Sequence, residues 1–149
     1  MYIYCFAVIL SFLILGDTMA YDTVDRDNIK EMVRDFYAII LKDDMLSPIF
    51  IKALGDNLDN GKWIEHFHTL DDFWVLMMTG RRGYGGDPFP PHAFIGPLYP
   101  EHFERWLKLF HEVVYRLFVQ EIADRFYKKA EVLADQFIEN LGLNDEDDD

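Results

Sequence analysis

His66 lies in the run Trp63-Ile64-Glu65-His66-Phe67-His68-Thr69-Leu70-Asp71-Asp72-Phe73-Trp74. Within and just beyond it, Trp63, His66, Phe67, Leu70, Phe73, Trp74, Met77 and Met78 recur at helical three-and-four spacing. One wide helix face is therefore aromatic and aliphatic, with a single imidazole set into it. A second histidine, His92, follows a stretch dense in glycine and proline, Gly80 to Pro91. Two imidazoles on separate segments, one of them in strongly apolar surroundings, are the donor set of an iron carried by a flat apolar cofactor, a haem. Spacing alone favours a plainer role for each, His66 as a core residue bonded to a carbonyl and His92 as a loop residue; their setting is what points to the haem.

Other site chemistries lack their parts. Glu65 and His68 make one Glu-x-x-His, the half-site of a di-iron carboxylate bundle, and no second copy accompanies it. His111-Glu112-Val113-Val114-Tyr115 puts a tyrosine where a zinc protease needs its second histidine. His68 falls on the polar side of its helix, and His102 and His111 fall on a helix whose apolar face is already filled, so these three read as solvated. The cluster Gly83 to Gly86 follows a helix and lacks the Lys-Ser/Thr ending of a phosphate loop, so it reads as a connector. Cys5 is the single cysteine, which leaves no intramolecular disulfide and no cysteine-based zinc or iron–sulfur site. No protein-only catalytic apparatus is recognisable.

Helices must position the two histidines. Ile29, Met32, Val33, Phe36, Tyr37, Ile40 and Leu41 make the stripe of a helix over about 25–41, capped by Asp25 or Asp27. Ser47-Pro48-Ile49-Phe50 reads as a short turn with Phe50 packed inward. The helix carrying His66 runs over about 61–79, capped by Asp59 or Asn60 and ended by Gly80. Any helix at His92 is about one turn long, because three prolines precede it and Gly96-Pro97 closes it. Phe103, Trp106, Leu107, Phe110, Val113, Val114 and Leu117 stripe a helix over about 100–119. Ile122, Phe126, Ala130, Leu133, Phe137 and Leu141 stripe the last, to about 141, with Gly142 as its stop. No alternating strand pattern occurs, so the fold is all-α. Tyr37, His66 and Trp106 are three polar donors on otherwise apolar faces.

The 149 residues suit one domain, with half of them hydrophobic and 16% aromatic, ring content that suits packing around a large planar ligand or a crowded core. A formal net charge of -13 repels phosphate backbones and argues against nucleic-acid partners. Asp145 to Asp149 reads as a solvated acidic tail in the segment 143–149. Tyr2 to Leu15 is an uncharged apolar run, too short for an ordinary transmembrane helix. It resembles a signal-peptide core with Thr18-Met19-Ala20 as a cleavage site, yet no Lys or Arg precedes it. The expected reading is a mis-assigned start, with Met19 opening a domain over 19–142, residues 1–18 as leader, a cytoplasmic location and no stable membrane association. A functional signal peptide would instead make the protein periplasmic, and a membrane anchor is the remaining reading of that run.

Several pieces together resemble the truncated haemoglobins, and within them the third group. They are Phe36-Tyr37; Leu46-Ser47-Pro48-Ile49-Phe50; Trp63-Ile64-Glu65-His66 with Phe73-Trp74; Tyr84-Gly85-Gly86-Asp87-Pro88 leading to His92; and His102-Phe103-Glu104-Arg105-Trp106-Leu107. They stand in the family's order, over about Ile29 to Leu109. The resemblance implies a shortened globin fold, two helices packed on two helices around a haem, of the b type. It implies His92 as proximal iron ligand, His66 as distal histidine, Tyr37 and Trp106 as distal hydrogen-bonding residues, and Phe50 and Leu70 as haem-pocket residues. It implies reversible binding of dioxygen, and of carbon monoxide or nitric oxide. The alternative it leaves open is a haem enzyme for nitric oxide dioxygenation or peroxide chemistry. Such an enzyme would need an external reductase. By charge alone, Lys62, Arg81 and Arg82 are candidates to meet the haem propionates.

Overall fold

The computed structural model describes residues 20–81 and 97–143, and all of its regular structure is helical. The leader 1–18, the approach Gly83 to Pro91, Arg82, His92 with its expected short helix, and the tail Asp145 to Asp149 lie outside the described residues.

Helix α1, Arg26–Ile40, starts where Asp25 and Asn28 cap each other. Asp25 Oδ1 accepts the Asn28 N–H at 2.8 Å, and Asn28 Oδ1 accepts the Asp25 N–H at 3.0 Å. Its stripe is buried as the periodicity predicts, Leu41 only partly. Helix α2, Ser47–Leu54, corrects the sequence reading of a short turn. Asp43 Oδ2 collects the N–H groups of Met45 and Leu46, Pro48 pre-sets φ in the first turn, and nothing breaks the helix before Gly55. Eight residues with no polar face are too few to show a helical period, so the pattern was silent there.

Gly55, at φ 91°, turns the chain towards helix α3, Gly61–Thr79. A Cβ there would lie 2.9 Å from Asn60 Nδ2, so the turn needs glycine. Asn60 accepts the Trp63 N–H at 2.9 Å and donates to the Leu54 carbonyl, while the Trp63 indole donates to the Gly55 carbonyl at 2.8 Å. The start of α3 is thereby fastened to the end of α2. Helix α4, Pro100–Leu117, stops two residues short of its expected end. Phe118 turns extended and bridges Tyr21: the Tyr21 N–H donates to Leu117 O at 2.8 Å, and the Val119 N–H to Tyr21 O at 2.9 Å. Helix α5, Gln120–Asn140, follows at once.

Helix α1 packs on α3 and α4 packs on α5, and the two pairs meet through α1 against α4 and α3 against α5. Phe36, Phe110, Phe118 and Phe126 are fully buried where the pairs meet, and Trp63 is fully buried between α1, α2 and α3. Among the described residues no helix is long and apolar enough to cross a membrane.

Candidate functional site

Between the helix pairs lies a cavity with walls from every helix. Met32, Val33, Phe36 and Tyr37 come from α1, Ile49 and Phe50 from α2, and His66, Leu70, Phe73 and Trp74 from α3. His102, Phe103 and Trp106 come from α4, and Leu133, Ala134 and Phe137 from α5. The lining is apolar and aromatic apart from a few convergent polar groups, the pattern of a small-molecule or cofactor site.

Five of the six residues singled out from sequence line it: Tyr37, Phe50, His66, Leu70 and Trp106. The sixth, His92, lies outside the described residues. Tyr37 is the hub. Its ring meets Phe36 at 5.0 Å between centroids, Phe50 and Trp63 at 5.5 Å, and His66 at 5.7 Å in an edge-on arrangement. Burial pushes the Tyr37 phenol well above its ordinary pKa, and the neighbouring Trp106 side chain pulls the other way. The raised pKa leaves the hydroxyl with its proton, free to act as a donor towards the cavity.

This state of Tyr37 shows in stability. A phenol whose folded-state pKa is raised contributes stability that is complete below its unfolded value of about 10 and is lost as pH rises past it. Unfolding midpoints measured on either side of that value should show an alkaline arm, and Tyr37→Phe should flatten it.

His102 corrects the sequence reading. It is half-buried, lines the cavity, and its Nδ1 accepts the Tyr99 N–H at 2.9 Å, closing the start of α4. The signal was available, since His102 and Trp106 are four residues apart and share a helix face. His68 and His111 are exposed as expected, with His111 stacked on Tyr115 at 4.1 Å. Lys62 and Arg81 are exposed and do not line the cavity.

Sequence reasoning missed Asp71 and Arg34. Asp71, next to Leu70 on α3, is fully buried and takes a two-pronged bond from the Arg34 guanidinium of α1 at 3.0 and 3.1 Å. Arg34 also lies over the Phe67 ring at 5.0 Å. A charge in an apolar stripe was the signal: Asp71 is four residues after Phe67 and seven before Met78, both buried.

No protein-family model matches the sequence. The chain is 32% identical over 119 residues to the group 3 truncated hemoglobin ctb of Campylobacter jejuni, an alignment covering 80% of this chain and 92% of that protein. The crystal structure of the group III truncated hemoglobin from Campylobacter jejuni superposes with a TM-score of 0.76 at 32% identity, over 83% of this chain and 95% of that one.

Proposed function

The chain belongs to the group III truncated haemoglobins and is a globin-type haem-binding protein, and on that premise we propose that it holds haem b in this cavity and reversibly binds dioxygen there. The observation that carries the reading is the convergence of Tyr37, Trp106 and His66, from three helices, on one largely apolar cavity. The residues present fit the cofactor. A flat apolar macrocycle meets aromatic and aliphatic walls, and the polar groups gather where a small polar ligand would need them. With Cys5 the single cysteine, no paired thiols exist for covalent attachment, which favours the b type. His92, by the family pattern, is the proximal iron ligand.

Haem supplies a ferrous iron that binds diatomic gases reversibly. The chain supplies the distal field. Were haem held there, Tyr37 O–H would be the donor offered to a small polar ligand, inside a largely apolar cavity. Trp106 lines the same cavity beside Tyr37, and its N–H would donate to the phenol oxygen, orienting it and strengthening its own donation. Because the phenol pKa is raised, the donor keeps its proton throughout the neutral range. Phe50 and Leu70 shape the pocket. His66 is half-buried, lines the cavity and packs edge-on to Tyr37, a placement from which its ring would gate ligand access. Replacing His66 with alanine should speed carbon monoxide association in flash photolysis, and an unchanged rate would remove the gating role.

Strong distal donation slows ligand release, which suits chemistry on the ligand better than delivery. That favours a second reading, nitric oxide dioxygenation or peroxide chemistry with an external reductase. Steady nitric oxide consumption in the presence of a reductant would select it.

The first test is the absorption spectrum of the full chain supplied with haem, before and after dithionite and carbon monoxide. A Soret band that shifts with carbon monoxide, and is lost or altered in His92→Ala, is the expected result. A folded, colourless protein would overturn the reading.

A further inference from the structure

Trp74 and Trp106 both line the cavity and both stack on Phe110, at 5.1 and 5.2 Å between centroids. From Trp74 the rings continue away from the cavity. Trp74 meets Phe126 at 5.7 Å, Phe126 meets Phe118 at 4.7 Å, and Phe118 meets Tyr21 at 5.8 Å. Everything on this path up to Tyr21 is buried, and Tyr21 is exposed. Its hydroxyl donates to the Glu31 carboxylate at 2.5 Å. Its backbone is fixed by the two bonds to Leu117 and Val119, so the ring is held against Phe118.

A core needs aromatic packing, but packing does not require that a file of rings end on an exposed phenol with a carboxylate as proton acceptor. Indoles and phenols are the side chains most readily oxidised by one electron. A phenol gives up its electron easily only when its proton can leave at the same time. Trp74 at the cavity, close-packed rings between, and Tyr21 bonded to Glu31 at the surface supply each part of that requirement.

We propose that the file Trp74–Phe126–Phe118–Tyr21 carries oxidising equivalents from the haem cavity to Tyr21, making the Tyr21–Glu31 pair a surface site for one-electron oxidation of a reductant too large to enter the cavity. The inference rests on the haem reading above and names hydrogen peroxide as the oxidant. Peroxide takes up two electrons and two protons and becomes two waters. Each electron leaves Tyr21 through the ring file, and the phenolic O–H breaks as its proton passes to Glu31. A one-electron donor then reduces the phenoxyl, and Glu31 returns the proton. Two donor molecules are oxidised for each peroxide, and solvent provides the two protons consumed at the cavity. The donor best matched to a surface of net charge -13 is a basic redox protein.

The test uses the haem-loaded full chain in its ferric form, with peroxide as oxidant and reduced cytochrome c, a basic protein, as the bulky donor. Freeze-quenched samples should show a tyrosyl radical by electron paramagnetic resonance. Tyr21→Phe, which keeps the ring stack and removes only the hydroxyl, should abolish that signal and the oxidation of cytochrome c. It should leave intact the Soret band, its carbon monoxide shift and the oxidation of small phenols that enter the cavity. Trp74→Phe should slow the bulky donor as well. Tyr115→Phe, which removes another carboxylate-bonded phenol, should leave the radical in place. A normal Soret band with a radical and cytochrome c oxidation indifferent to Tyr21→Phe would overturn this inference while leaving the haem reading standing. Absence of a Soret band would overturn both.

Discussion

Tyr37→Phe should raise the dioxygen dissociation rate of the haem-loaded protein about tenfold, the equivalent of one lost hydrogen bond of about 1.4 kcal/mol. The substitution keeps the ring, so contacts with Phe36, Phe50, Trp63 and His66 persist, and only the donor disappears. Trp106→Phe should raise the rate less if the indole N–H acts on the Tyr37 oxygen and reaches the ligand through it. The two changes should therefore be non-additive: in the Tyr37→Phe background, Trp106→Phe should add almost nothing. Stopped-flow ligand replacement on the four proteins measures the cycle. If the effects multiply, Trp106 donates to the ligand directly and the relay is wrong. If Tyr37→Phe leaves the rate unchanged, the phenol does not face the ligand.

The sequence already carried most of this arrangement, and its omissions have physical causes. The long helices were legible because α1, α3, α4 and α5 each bury one stripe and expose the rest, the condition under which a 3.6-residue period is readable. The N-caps of α1 and α3 were legible too, since Asp25 and Asn60 are short acceptors placed just ahead of an apolar run. Helix α2 was not, because a short apolar segment has no polar face to mark its period. The end of α4 escaped because what stops it is a backbone pairing with Tyr21, nearly a hundred residues earlier. Tyr37, His66 and Trp106 stood out as polar groups in apolar stripes, but only the packing of α1 on α3 and α4 brings the indole onto the phenol. His102 was passed over although its spacing from Trp106 placed it on the cavity face. The same test of a polar residue in a buried stripe would have found Asp71.

Arg34→Met should cost about 3 kcal/mol of stability, because it leaves Asp71 buried with its charge uncompensated. For a domain of this size that lowers the unfolding temperature by about 10 °C, a shift readily followed by circular dichroism. Arg34 itself is only partly buried, so Asp71→Leu alone should cost less: the freed guanidinium can turn to water. The double variant Arg34→Met with Asp71→Leu should recover most of the loss, since an apolar pair of similar volume pays no desolvation. If Arg34→Met is as stable as the wild type, the carboxylate is satisfied by other means and the pair is incidental. The pair also bears on the site. It ties α1 to α3 one turn from Tyr37 and one turn from Phe67, the ring beneath the guanidinium. The spacing of those two helices sets the distance from Tyr37 to His66 and the width of the cavity. Arg34→Met should thus loosen haem retention, measured as transfer to an apo-globin acceptor, and the double variant should restore it in step with stability. Recovery of stability without recovery of haem retention would show that the charge pair positions the distal residues beyond its effect on folding.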